Sequence, residues 1–288
     1  MSLPRMPFSQ RIRRRLDVWW GRPRRWADWR TYRDGAHRIR ERMTYHEVID
    51  PLPTWRCCEH WQRVVNNKWN AHVFAELHGC RVPRIYWFSR SRAPLPDPLP
   101  DRYVIRPVYG TSRIGIYVVD QGRDQLRGIA VAPGDLPRLT QPRRDFWPPT
   151  PVMLEEMIPG ENGGLPLEIK CHTIANAVVA IETLERTGVK GLALRVYDPD
   201  WQPFDDAFDL AGPQGPVRPA PPFLSEMIAL ASRMGAALGT YSRIDFFAGP
   251  DGPVFNEFSG TPDLGQRFTP FANEYLAEMW DRHAPGTV

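Results

Sequence analysis

The sequence predicts an α+β fold, on three observations. Helical segments and antiparallel hairpins alternate along the chain. No internal repeat is present. The 288 residues, 42% hydrophobic and 24% charged, have the composition of a globular protein long enough for two modest domains.

The elements follow in order. Residues 8–43 read as helical and Arg-rich, with Trp19, Trp20, Trp26 and Trp29 interleaved and a break at Gly21-Arg22-Pro23. Over residues 60–80, Val64, Val65, Trp69, Val73, Phe74 and Leu77 recur near helical spacing, and Gly79 supplies a stop. A short strand is expected at 84–88, then a Pro-rich loop and a strand at 103–106. Gly110-Thr111-Ser112 is a turn, with a returning strand at 115–119. Residues 120–150, rich in Pro, Arg and Gly, read as irregular. Further strands are expected at 152–156, 167–174, 176–184 and 191–197. A Pro/Asp-rich connection, a helix over 223–238 closed by Gly239, strands at 241–248 and 253–259, and a last helix near 271–281 complete the chain. This divides it into a basic, Trp-rich region 1–58, a first subdomain 59–150 and a second 151–288.

No run of 18 apolar residues is present, which excludes a membrane-spanning helix. No apolar core follows the basic N-terminus, so no secretory signal is expected. Cys57, Cys58, Cys80 and Cys171 lack metal-site spacing and read as reduced thiols of a cytoplasmic chain. Charge is unevenly placed. Residues 1–43 hold 13 Arg and four acids, a balance of +9, so the remainder carries −5. The body is therefore mildly acidic, and nucleic-acid binding is not expected of it. Of 37 basic residues only Lys68, Lys170 and Lys190 are lysine. In a chain that otherwise uses Arg, these are either compositional leftovers or positions that need a compact ammonium.

The hairpin over 241–265 carries the most chemistry. Read as a three-residue loop, Pro250-Asp251-Gly252 makes Gly249 face Pro253. That register sets Arg243 opposite Ser259, Asp245 opposite Glu257 and Phe247 opposite Phe255. The other face pairs Ile244 with Phe258, Phe246 with Asn256 and Ala248 with Val254. Opposed Cβ atoms lie about 4.5–5.5 Å apart, and two carboxylates so placed need a cation or a shared proton. Hard oxygen donors around an open position suit Mg²⁺; the alternative is a solvated edge on which Arg243 bridges both acids. Upstream, Gly110, Thr111 and Ser112 can offer N–H and hydroxyl groups to phosphates, with Arg106 aimed at the same place.

Taken in order, these motifs resemble the ATP-grasp superfamily over about residues 60–280. NNKW (66–69) resembles its opening lysine helix, and YVIRPVYGTSRIG (102–115) its phosphate-binding strand and loop. LEEMIPGE (154–161) resembles its nucleotide hinge, and RIDFF with VFNEFSGTPDLG (243–265) its metal hairpin. LPLEIKCHTIANAVVAI, YDPDW and EFSGTPDLG look closest to the branch named for teichuronopeptide biosynthesis.

The resemblance implies two α+β subdomains clasping ATP, with a short helical N-terminal region in place of a full first domain. It implies activation of a carboxylate as an acyl phosphate and attack by an amine. Lys68 and Arg106 would hold phosphates, Glu155 would meet adenine through its carbonyl and Ile158 through its N–H, and Glu168 would take the ribose. Asp245 and Glu257 would bind Mg²⁺ with Ser259 nearby, Arg243 would stabilise the acyl-phosphate charge, and Lys170 would reach a phosphate. Arg106 stands where Lys is common and Ser259 where Asn is frequent. His172 reads as structural, and Arg195 is a candidate for a substrate carboxylate. The implied function is a ligase joining a small-molecule acid and amine, one of which a glycan or peptide could carry. A phosphotransferase, and a non-catalytic binding module whose arm meets nucleic acid or a membrane, are the alternatives.

Overall fold

A computed structural model describes residues 61–89, 94–108, 114–141, 150–187, 191–209, 212–260, 262 and 267–284. The arm, Cys57, Cys58, Gly110, Thr111, Ser112 and Lys190 lie outside the described residues.

The expected 60–80 helix is two pieces: a 3-10 turn Trp61–Asn66 and helix α1, Lys68–Leu77. Asn67 divides them as the N-cap, its side chain accepting from the N–H groups of Trp69 at 2.9 Å and Asn70 at 3.3 Å. Strands β1 (Ile85–Phe88), β2 (Arg102–Pro107), β3 (Tyr117–Asp120), β4 (Arg123–Asp124) and β5 (Ile129–Ala130) follow, then the short helix α2 (Leu136–Leu139) and β6 (Val152–Glu156). The stretch 120–150 is thus not irregular throughout. Buried Asp124 organises its first turn, accepting from the N–H groups of Val118 and Leu126 and pairing with Arg127 at 2.6 Å.

These six strands form one antiparallel sheet in the order β1-β6-β2-β3-β4-β5. Strand β6 lies between β1 and β2, so the boundary expected at 150/151 does not separate the sheets; β6 belongs with the first. The second sheet has the order β11-β10-β7-β8-β9, from β7 (Glu168–Ile174), β8 (Ala177–Thr187), β9 (Gly191–Tyr197), β10 (Tyr241–Gly249) and β11 (Gly252–Ser259). Helix α3 (Leu224–Leu238) precedes β10, and α4 (Pro270–His283) closes the fold. The class is α+β with two antiparallel sheets, as the alternation of helices and hairpins requires.

The second sheet is covered on both faces, and all seven residues of β7 are buried. On one face Ile169, Cys171, Ile181, Ile244, Phe246 and Phe255 pack against α3 and α1. Met227, Leu230, Ala231, Met234, Gly235 and Leu238 of α3 recur at helical spacing. Gly235 is required there: a Cβ would stand 2.3 Å from the Ala175 carbonyl oxygen in the β7–β8 turn. Phe74 of α1 packs edge-to-face on Phe258 at 5.5 Å. Part of the opposite face carries a second cluster with α4, including Ile174, Val179, Ala180, Tyr241 and Leu276. Helix α1, although it precedes the first sheet in sequence, is therefore built into the core of the second.

Candidate active site

Two hairpins set the site, and each does so through a bulge. The β10–β11 turn is not the expected three-residue loop, because Gly249 pairs with Gly252 across Pro250-Asp251. From there Ala248 faces Pro253, Phe247 faces Val254 and Phe246 faces Phe255, so the expected pairs on that stretch are wrong by one residue. A bulge then inserts Asn256, after which Asp245 faces Glu257, Ile244 faces Phe258 and Arg243 faces Ser259, as expected. The β7–β8 hairpin repeats the device. Ile174 faces Ala177, but a bulge at Val179 sets His172 opposite Ala180 and Lys170 opposite Glu182. An extra residue changes which face the following side chains occupy.

The result is one rung of ionisable side chains across four strands: Glu182 on β8, Lys170 on β7, Asp245 on β10 and Glu257 on β11. The Lys170 ammonium lies 3.8 Å from Glu182 and 3.7 Å from Asp245. One rung along, Arg243 donates from Nε and Nη2 to the two Asp245 oxygens, both at 2.8 Å, and from Nη2 to the Ser259 hydroxyl at 3.3 Å. The opposed carboxylates are thus not bridged by Arg243. Asp245 goes to Arg243 and Lys170, while Glu257 meets Lys68, whose Nζ reaches over from α1 to 3.8 Å.

A second buried group joins the two sheets. Arg106, on β2, donates Nη1 to the Asn256 side-chain oxygen and Nη2 to its backbone carbonyl, both at 3.0 Å. Arg106 also pairs with Glu155 at 3.1 Å, and Glu155 lies 3.7 Å from His72 of α1. Burial, with Arg106 and Lys68 nearby, holds His72 neutral by pushing its pKa down to about 3. Burial also lowers Lys68 against the opposing pull of Glu257. For Glu257, burial acts upward, but Lys68, Arg106 and Arg243 bring it below the usual carboxylate range. Counting both groups, four cations (Lys68, Arg106, Lys170, Arg243) are paired with four carboxylates (Glu155, Glu182, Asp245, Glu257). Buried charges persist only when so paired.

The residues expected to act are mostly brought together. Lys68, Arg106, Lys170, Arg243, Asp245, Glu257 and Ser259 are linked through the contacts above. Glu168 begins β7 on the same face as Lys170. Glu155 lies within the ladder, between Ile85 and Val104, and turns its carboxylate to Arg106; Ile158 follows β6 and is buried. Val108, two residues before Gly110, accepts from the Lys68 N–H at 3.1 Å, which ties the start of the glycine loop to α1.

Arg195 is a correction. Val196 shares the rung with Glu182, so its neighbour Arg195 points to the other face of the sheet, where it bonds Gln214 at 2.7 Å. His172 is structural, its Nδ1 2.8 Å from the Tyr241 hydroxyl. Cys80 and Cys171 are free thiols.

Glu182, His72 and Asn256 were missed by sequence reasoning. A glutamate within the apolar run VVAIETL was the available signal for Glu182. Asn256 carried none, because its role comes from a bulge.

Glu257 is 35% exposed and Ser259 adds a hydroxyl. Asp245 is 1% exposed, yet a carboxylate offers about four lone-pair sites and Arg243 takes two. These oxygens fit a hard cation. Among the described residues no group of three or more His, Cys, Asp and Glu could hold a metal ion, so Mg²⁺ here would draw most of its ligands from water and phosphate.

No protein-family model and no curated protein matches the sequence. Among solved structures, the VanG D-Ala:D-Ser ligase from Enterococcus faecalis is similar at TM-score 0.46 and 20% identity, over 70% of this chain and 54% of that one. The D-alanine–D-alanine ligase from Bacillus anthracis, complexed with ATP, is similar at 0.48 and 15%, over 77% and 63%. The ATP-grasp ligase PsnB, complexed with Mg and ADP, is similar at 0.44 and 13%, over 76% and 58%. This chain therefore spans between about half and two thirds of the length of those proteins. With TM-scores below 0.5 these likenesses are partial, and the reading of the site rests on its own residues.

Proposed function

We propose that this chain is an ATP-dependent carboxylate–amine ligase of ATP-grasp type, activating an acid as an acyl phosphate and joining it to an amine. One observation carries the reading. The rung Glu182–Lys170–Asp245–Glu257 is continued by Lys68, which α1 holds against the edge of the second sheet while bonded to the end of β2. Compact ammonium groups at both ends of a carboxylate pair suit a polyphosphate whose charge a divalent ion partly neutralises. Phosphoryl transfer asks a protein mainly for positioning and electrostatic stabilisation.

In this reading Lys68 and Lys170 bind phosphate oxygens, with Gly110, Thr111 and Ser112 covering them. Arg106, expected to hold a phosphate, commits its guanidinium to Asn256 and Glu155, so in this reading it acts from behind, by fixing Asn256 and so the register of Glu257. Asp245, Glu257 and Ser259 hold Mg²⁺, which supplies Lewis-acid neutralisation of phosphate charge. Arg243 stabilises the negative charge of the acyl phosphate and of the adduct with the amine. Glu168 takes the ribose, and the residues after β6, Ile158 among them, line the base. The substrates are a small-molecule acid and amine, one of which a glycan or peptide could carry, as the likeness to the teichuronopeptide branch suggests.

The test is ADP release from Mg·ATP over panels of acids and amines. A ligase requires both partners and yields an amide in step with ADP. Amine-independent ADP release with a phosphorylated product would mark a phosphotransferase instead. No ADP release with any pair would count against catalysis.

A further inference from the structure

We propose that Glu182 is a positioning residue of this site: it is the counter-ion that holds the Lys170 ammonium in place while Asp245 serves the bound reactants. The inference rests on the ligase reading above.

Glu182 is 3% exposed, in a strand whose preceding residues are Val178, Val179, Ala180 and Ile181. An isolated carboxylate there would be costly, and apolar packing alone would serve the strand better. The fold nevertheless brings it to the charged face. Without the bulge at Val179 the two-residue turn would set Ile181, not Glu182, opposite Lys170. Asp245 alone cannot balance the cations beside it, because its single charge faces two: Arg243, bonded to both its oxygens, and Lys170 at 3.7 Å. Glu182, 3.8 Å from Lys170 on the side away from Asp245, makes a neutral quartet of two cations and two anions.

Removing the Glu182 charge leaves Lys170 with Asp245 as its only carboxylate within ion-pair distance among the described residues. The ammonium is then drawn toward β10 and competes with Mg²⁺ and Arg243 for the same oxygens. A phosphate contact made by Lys170 loses its geometry, although no atom of Glu182 touches substrate.

The test is a double-mutant cycle on the full chain, read as ADP release with the acid–amine pair that the panels identify. Glu182→Gln should lower kcat at least ~10-fold while shifting KM for ATP less than ~3-fold, and Glu182→Asp should recover part of the loss. In a Lys170→Gln background the same change should cost less than ~2-fold, because the group through which Glu182 acts is gone. Equal losses in both backgrounds, or wild-type kcat in Glu182→Gln, would overturn the proposal. Where Glu182→Gln does not fold, Glu182→Asp with and without Lys170→Gln decides on the same criteria. A wild-type chain inert with every pair overturns the ligase reading and this inference with it, whereas an active wild type with an indifferent Glu182 overturns the inference alone.

Discussion

At the scale of residues, the site is a problem of pairing eight charges, six of them buried, and each pairing has a consequence. Lys68 is 6% exposed and reaches Glu257 from the first position of α1, where the helix dipole disfavours a cation. A lysine kept there, in a chain with 34 arginines against three lysines, is best explained by a need for a compact charge. Lys68→Arg should weaken Mg·ATP binding or turnover at least ~10-fold, about 1.4 kcal/mol, while Lys190→Arg should be silent. Equal kinetics in both variants would reduce the lysines to compositional accidents. His72 makes a different prediction. Its pKa in the folded state, about 3, lies below the ordinary 6.5, so between these values the unfolded chain binds the extra proton. Stability attached to neutral His72 is present above pH 6.5 and is lost as the pH falls toward 3. His72→Leu should flatten the acid limb of a stability–pH profile by up to about 1 kcal/mol per pH unit. An unchanged slope would mean that His72 is not held neutral.

At the scale of elements, two bulges do what neither hairpin turn can. The sequence placed Asp245 against Glu257 through a three-residue loop; the fold reaches the same pair with a two-residue turn and an extra residue at Asn256. Both routes consume one residue between the turn and the carboxylates, which is why the acidic end was legible and the apolar stretch beside it was not. Glu182 stayed hidden because turn chemistry at Ala175-Asn176 cannot announce a bulge four residues later. Helices α3 and α4 were legible from spacing, and so was the Gly239 stop, which takes φ +68 as the C-cap of α3, whereas the short α2 and the break at Asn67 were not. The place of β6 inside the first sheet was not legible, because strand order is a long-range property. The close approach of α3 to the β7–β8 turn gives the element-scale prediction. Gly235→Ala must move the Ala175 carbonyl or the helix and should cost about 1–3 kcal/mol in thermal or denaturant unfolding. A neutral result would show that the turn yields freely, and with it the register of Lys170.

At the scale of the whole molecule, α1 and the Arg106–Asn256 hydrogen bonds fasten the first sheet to the second, so the site exists only where both are folded together. The arm lies outside the described residues, and no described helix is long and apolar enough to cross a membrane. From sequence, its Trp residues are expected to pack on the body while its arginines face water. Deleting residues 1–43 should then lower the melting temperature, and an unchanged Tm with lost sedimentation on anionic vesicles would instead mark a peripheral membrane anchor.

If the rung from Glu182 to Glu257, completed by Lys68, is a Mg·nucleotide site, titration calorimetry will register it. Mg·ADP should bind the full chain, with affinity that falls when Mg²⁺ is omitted. Glu257→Gln should retain the melting profile yet lose that dependence on Mg²⁺, because the carboxylate proposed to meet the ion is gone. Absence of nucleotide binding in the wild-type chain, or an undiminished Mg²⁺ dependence in Glu257→Gln, would contradict the account.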